Sequence, residues 1–154
     1  MLLVSACLLG VNCSYNQKNH LTPMLWKHIE GKPVIMFCPE QAGGLTTPRL
    51  PSEIAGGCGQ DVWSGKARVI NSNGQDMTSA FLHGAKQCLR LSIKLNVRQA
   101  IFKSNSPSCG VNTIYDGFFN KSLKPGDGVC TALLRAHGVE VMSEKDLMQG
   151  GTIW

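Results

Sequence analysis

The sequence predicts an α/β fold: one domain over residues 1–154, with a mainly parallel sheet flanked by helices and a β-hairpin insertion. Three observations carry that expectation. Four short runs, Leu2-Leu3-Val4-Ser5-Ala6, Val34-Ile35-Met36-Phe37, Arg98-Gln99-Ala100-Ile101-Phe102 and Val139-Glu140-Val141-Met142, are spread along the chain. Three of them are nearly continuous apolar stretches, the pattern of parallel strands covered on both faces. Helical signals fall between the runs, which is the alternation of an α/β domain.

The elements follow in order. The first run stops at Cys7, with Gly10 close behind. Residues 23–30 read as a short helix with Pro23 in its first turn, where a missing N–H costs nothing. Pro33 opens the second run, which stops at Cys38-Pro39. The stretch from Gln41 to Gly65 is rich in Gly and Pro and long for a plain loop, so it is expected to be functional. Ala67-Arg68-Val69-Ile70 and Met77 flank a turn at Asn73-Gly74. Met77 to Leu95 is the clearest helix. Phe81, Ala85, Cys88, Leu89 and Ser92 share one face, and His83, Lys86, Gln87, Arg90 and Lys94 the other. Asp76 is its expected N-cap.

The third run stops at Lys103-Ser104. Thr113-Ile114-Tyr115 and Phe118-Phe119 flank Asp116-Gly117, a hairpin signal. Asp127 is placed to cap a helix running through His137 and closed by Gly138. The fourth run stops at Ser143, where a last short helix begins. The whole reads as a Rossmann-like arrangement.

Composition narrows the function. The chain has 154 residues and a formal charge of +5, with Lys and Arg scattered rather than clustered. An extended nucleic-acid footprint would show a basic patch, so none is expected. The surplus can still favour a small anion. No apolar run reaches the ~18 residues of a membrane span. Val4-Ser5-Ala6-Cys7 imitates a lipoprotein cleavage site, but too little apolar chain precedes it for an export signal. A cytoplasmic location is expected, where thiols stay reduced. The oligomeric state is left open.

Seven cysteines are many for this length. Cys7, Cys38 and Cys109 follow the first three strands, and an open parallel sheet binds ligands beyond the carboxyl ends of its strands. Three thiols distant in sequence would meet on one rim, beside Gly and Pro residues whose turns expose backbone N–H groups. Such a set suits an iron–sulfur cluster. The alternative is that each is a small core hydrophobe. Cys88 and Cys130 fit that alternative. Cys13 is closer to it than to an assisting role, and Cys58, in a Gly-rich stretch, leans the same way.

The motifs around these positions are Ser5-Ala6-Cys7-Leu8-Leu9-Gly10, then Cys38-Pro39-Glu40-Gln41-Ala42-Gly43-Gly44-Leu45-Thr46-Thr47-Pro48-Arg49 with Pro51-Ser52-Glu53-Ile54. Lys103-Ser104-Asn105-Ser106-Pro107-Ser108-Cys109-Gly110, Tyr115-Asp116-Gly117 and Pro125-Gly126-Asp127-Gly128-Val129 follow. Together they resemble a bacterial family that takes its name from thiouracil desulfidase, over Leu3 to about Leu147. The resemblance implies an α/β fold, a [4Fe-4S] cluster on Cys7, Cys38 and Cys109, and non-redox replacement of a thiocarbonyl sulfur by oxygen in a small thiolated heterocycle. One departure stands out. The family often continues its first motif Cys-Arg-Tyr-Asp-Gly, whereas this chain has Cys13-Ser14-Tyr15-Asn16-Gln17.

That chemistry needs an activated water and donors for developing negative charge. Glu40 is the candidate general base; its alternative is a capping or salt-bridging carboxylate. Ser104 and Ser106 are candidate catalytic donors, with Lys103, Asn105, Ser108, Gly110 and Arg49 as candidate substrate-binding residues. The alternative for the serines is a turn that caps itself. Glu53 is expected to pair with Arg49, and Lys103 to steady the cluster or pair with Glu40. Asp116 is assigned to the hairpin turn, and the four histidines to surface or helix-end roles. Two rival functions remain open: a cluster-free cysteine-nucleophile enzyme, and a non-catalytic iron–sulfur carrier.

Overall fold

The computed structural model describes residues 1–153. The elements run β1 (Leu2–Ser5), a 3-10 turn (Ala6–Leu9), α1 (Pro23–Ile29), β2 (Val34–Phe37), α2 (Pro39–Ala42), β3 (Ser52–Ala55), α3 (Gly59–Trp63) and β4 (Arg68–Asn71). They continue with α4 (Thr78–Lys94), β5 (Gln99–Phe102), β6 (Thr113–Tyr115), β7 (Leu123–Pro125), α5 (Val129–Ala136), β8 (Glu140–Ser143) and α6 (Glu144–Met148).

The four expected strands form one sheet in the order β2-β1-β5-β8. All three pairings are parallel, with Leu3 opposite both Ile35 and Ala100, and Phe102 opposite Ser143. Side chains alternate between two cores, as the two-residue period of a strand requires. Leu3, Ala100 and Phe102 pack with Phe81 and Cys88 of α4 and Leu134 of α5. Leu2, Val4 and Ile101 pack with Leu25 and Ile29 of α1 and Leu147 of α6. Both faces are therefore covered, which is why the strands read as nearly unbroken apolar runs. Helix α4 buries Phe81, Ala85, Cys88 and Ser92, four of the five residues assigned to its inner face; Leu89 is half-buried.

Four local expectations are corrected. The 41–65 stretch is not a plain loop: it holds the end of α2, all of β3 and all of α3, and β3 pairs antiparallel with β4. Sequence reading missed β3 because Ser52-Glu53-Ile54-Ala55 has no apolar run. The hairpin pairs β6 with β7, Tyr115 opposite Leu123, so residues 116–122 form its loop and Phe118-Phe119 are not strand. Asp127 does not cap α5. Gly128 is the N-cap, and the Asp127 carboxylate accepts from the Asn112 N–H at 2.8 Å and from Arg135 at 2.9 Å. Asp76 sits one residue before the N-cap of α4 and still accepts the Thr78 N–H at 2.9 Å.

The sheet order has a functional consequence. From β1 the chain crosses outward to β2 on one side, while β5 and β8 lie on the other. The reversal between β1 and β5 is a topological switch point. There the segments leaving the strands diverge and open a crevice.

Candidate metal centre and cavity

A cavity of about 480 Å³ occupies that crevice. Cys7, Cys38 and Cys109 all line it, and so does Cys13. Each thiol is delivered by a short-range device. Cys7 lies in the 3-10 turn after β1, a turn closed by Gly10 at φ 97°. Cys38 is the N-cap of α2, with Pro39 fixing the first helical position. Helix α2 in turn sits hard on α4: a Cβ at Gly84 would lie 1.8 Å from the Pro39 carbonyl oxygen.

Cys109 is held by the loop that contains it. The Ser106 hydroxyl oxygen accepts the Ser108 and Cys109 N–H groups, each at 3.1 Å. The N-terminus of α5 reads the same loop. Val129 N–H donates to the Pro107 carbonyl at 2.8 Å, Cys130 N–H to Ser108 at 2.9 Å, and the Thr131 hydroxyl to Cys109 at 3.0 Å. The otherwise orphaned donors of the helix thus lock the loop.

The thiols form a neighbourly set. The Cys38 thiol points at the Cys13 carbonyl, 3.9 Å away. The Cys38 thiol also pulls the Cys13 pKa down, but the Cys7 thiol and burial outweigh it and Cys13 ends at about 11. Its bond to Cys13 and its burial push Cys38 up, and burial pushes Cys109 up against the opposing Ser5 hydroxyl. A bound metal would draw these protons off. Among the described residues, no three His, Cys, Asp or Glu side chains converge on a point that holds a single ion. A tetrahedral zinc would need sulfurs roughly 3.8 Å apart. A four-iron cubane binds each thiolate at a different iron and needs them spread around a larger body. Three of the four thiols on this cavity come from the ends of different strands, and that donor set suits a cluster that takes one thiolate per iron.

Of the other predicted residues, Glu40, Arg49, Lys103, Ser104, Asn105 and Ser106 line the cavity; Ser108 and Gly110 do not. Ser108 is 1% exposed, and its hydroxyl has no hydrogen-bond partner among the described residues. Gly110 is packed too closely for a side chain, its ideal Cβ 2.6 Å from the Ser106 carbonyl oxygen. Arg49 is a tie rather than a free cation. Its Nε and Nη2 reach Glu40 Oε2 at 2.7 and 2.6 Å, and its other donors go to the Thr46 carbonyl, the Thr47 hydroxyl and the Cys13 carbonyl. The expected Glu53–Arg49 pair is therefore replaced by Glu40–Arg49. Glu53 instead accepts the Gly117 and Phe119 N–H groups at 2.8 and 3.1 Å. Lys103 pairs with Glu144 at 3.1 Å, not with Glu40.

Sequence reasoning did not pick out Tyr15, His20, Phe119 and Lys121 at this cavity. Burial, with help from Lys103, lowers the His20 pKa below its ordinary value. Phe119 and Lys121 sit in the left-handed region at φ 55° and 66°. Such backbone is costly for a bulky residue, and the Glu53 bonds to the Gly117 and Phe119 amides offset it. Their signal in the sequence was the hairpin itself, read as a turn and not as a lip of the site.

Comparison with known proteins follows the same lines. Residues 2–146 match the family described as 2-thiouracil desulfurase. The chain is 42% identical to the Bacillus subtilis (strain 168) uncharacterized protein YbbK over 147 residues, 96% of this chain and 97% of that one. It superposes on a solved [4Fe-4S]-dependent thiouracil desulfidase, TudS, with a TM-score of 0.82 and 39% identity, covering 96% of this chain and 93% of the other.

Proposed function

The chain belongs to the 2-thiouracil desulfurase family, and on that premise we propose that it is a [4Fe-4S]-dependent desulfidase. It converts the C=S of a thiolated pyrimidine such as thiouracil to C=O, with water supplying the oxygen and sulfide leaving. The observation that carries the reading is the meeting of Cys7, Cys38 and Cys109 on one cavity at the switch point of the sheet.

Cys7, Cys38 and Cys109 hold the cluster, which when bound supplies a soft Lewis-acidic iron for the thiocarbonyl sulfur. The chain's own residues do the rest. Both Arg49 contacts fall on Glu40 Oε2, and Oε1 has no protein partner among the described residues. That oxygen is the base that takes a proton from water, and Arg49 fixes its direction. Lys103 faces the negative charge that develops on the ring. The Ser106 hydroxyl oxygen accepts both N–H groups of the Cys109 loop, which holds that loop, and its one hydrogen is left to donate into the cavity. Tyr15 and Phe119 offer aromatic surface to a planar ring. A cavity of about 480 Å³ suits a small heterocycle. Seven free thiols support a reaction in the reducing cytoplasm, and no helix among the described residues is long and apolar enough to cross a membrane.

The test is anaerobic purification followed by visible spectroscopy, iron and sulfide analysis, and turnover of thiouracil. A cluster absorption that changes on adding thiouracil, with uracil and sulfide formed one to one, is expected. Equal turnover by iron-free protein, abolished by alkylation, would replace this reading with a thiol-nucleophile enzyme.

A further inference from the structure

Glu144 is a buried carboxylate with no part in the chemistry so far. It is the first residue of α6, directly after β8, and only 6% exposed. The β5–β8 register sets Phe102 opposite Ser143, so the last strand delivers Glu144 beside Lys103 and Ser104. Its Oε2 accepts the Ser104 N–H at 2.8 Å. Its Oε1 accepts the Ser104 hydroxyl at 2.7 Å and the Lys103 ammonium at 3.1 Å. Lys103 closes the triangle, donating to Ser104 Oγ at 3.1 Å. Lys103 and Ser104 line the cavity, and Glu144 does not.

We infer that Glu144 is a positioning residue that sets the polarity of the site, making Ser104 an acceptor and fixing the Lys103 ammonium charge beside the reacting heterocycle. The argument is an inventory of protons. A serine hydroxyl has one hydrogen, and here it points at Glu144. What Ser104 presents to the cavity is a lone pair, suited to orient the attacking water or a ring N–H. An ammonium has three hydrogens. All three have protein acceptors, Glu144 Oε1, Ser104 Oγ and the Ser104 carbonyl oxygen, each at 3.1 Å, so what Lys103 offers the ring is a fixed positive charge against the charge that builds up as the C–S bond breaks. Ser104 thus serves differently from the proton donor expected from sequence. The inference rests on the desulfidase reading given above.

The experiment compares wild type with E144Q, E144D, K103M and the E144Q/K103M double variant, all cluster-loaded, with iron per chain and melting temperature measured alongside. Releasing a charge aimed at the transition state lowers the chemical step without weakening ground-state binding. E144Q is expected to lose on the order of 10-fold or more in kcat with KM held within about 3-fold. Its affinity for uracil, measured by calorimetry, is expected to stay within the same limit. E144D should recover part of kcat. The double variant should be no slower than K103M, because Glu144 acts through Lys103. Full kcat in E144Q, a loss confined to KM, or additive losses in the double variant would overturn the inference while leaving the desulfidase reading intact. Absence of thiouracil turnover in loaded wild type would instead overturn the desulfidase reading itself.

Discussion

The two ends of the central sheet are made by the same strands and differ in kind. At the amino end, Met1, Leu2, Lys32, Pro33, Arg98 and Gln99 surround a recess of about 130 Å³. The chain enters there through tight reversals, with Gly31, Asn96 and Gly138 in the left-handed region, and the Leu2 N–H is tied to the Pro33 carbonyl at 3.0 Å. At the carboxyl end the cavity is about 480 Å³ and carries four thiols. The difference follows from topology. Returning helices pack the amino end closed, whereas segments leaving β1 and β5 depart in opposite directions and cannot fill the space between them. The strands thus enter the sheet through tight turns and leave it into the cavity that carries the thiols.

The largest effect expected is at the thiols. Serine at Cys7, Cys38 or Cys109 should remove the cluster, with iron per chain falling to a fraction and thiouracil turnover dropping by on the order of 10³-fold. K32A and R98A, at the other end, should leave both within about 2-fold. The contrast between the ends fails if an amino-end variant matches a cysteine variant in iron loss.

A smaller effect separates two glycines. G84A forces a methyl group against the Pro39 carbonyl, so α2 must move and carry Cys38 with it. A loss of roughly 2–3 kcal/mol in urea unfolding, with reduced iron occupancy, is expected. G31A meets no atom within 4 Å and costs only its left-handed backbone at φ 72°, about 1 kcal/mol, with iron unchanged. Equal iron loss in the two would show that the rim does not depend on how α2 seats on α4.

The smallest effect is a pH dependence. Burial opposes the charged form of Glu144, but Lys103 and the Ser104 bonds prevail and hold it below its ordinary 4.5. The folded pKa lies under the unfolded one, so the stabilisation is fully present above pH 4.5 and fades as pH falls through the lowered value. Melting temperatures taken between neutral pH and pH 3 should decline in acid for wild type, with a shallower decline in E144Q. Identical acid limbs would show that the carboxylate is not stabilised by its neighbours.

Much of the fold was legible because it is local. The four sheet strands declare themselves as short buried runs, and α4 by the spacing of Phe81, Ala85, Cys88 and Ser92. β3 and β4 were harder. Their stability comes from antiparallel pairing of Ser52–Ala55 with Arg68–Asn71, and neither partner carries an apolar stripe long enough to signal it. The cavity placement of Cys7, Cys38 and Cys109 was readable as strand-end positions, since parallel strands share a direction. Ser108 and Gly110 could not be told from Ser104 and Ser106 by composition. Only the docking of α5 onto their backbone turns them inward.

What the amino-acid order determined alone is the set of strands, the long helix and the thiols at strand ends, because each depends on residues a few positions apart. What tertiary structure decided is who partners whom: Arg49 with Glu40, Glu53 with the hairpin amides, and Glu144 with Lys103 across 41 positions. Charges pair through space, and the distance between them is set by sheet order and register. No stretch of sequence contains that information by itself.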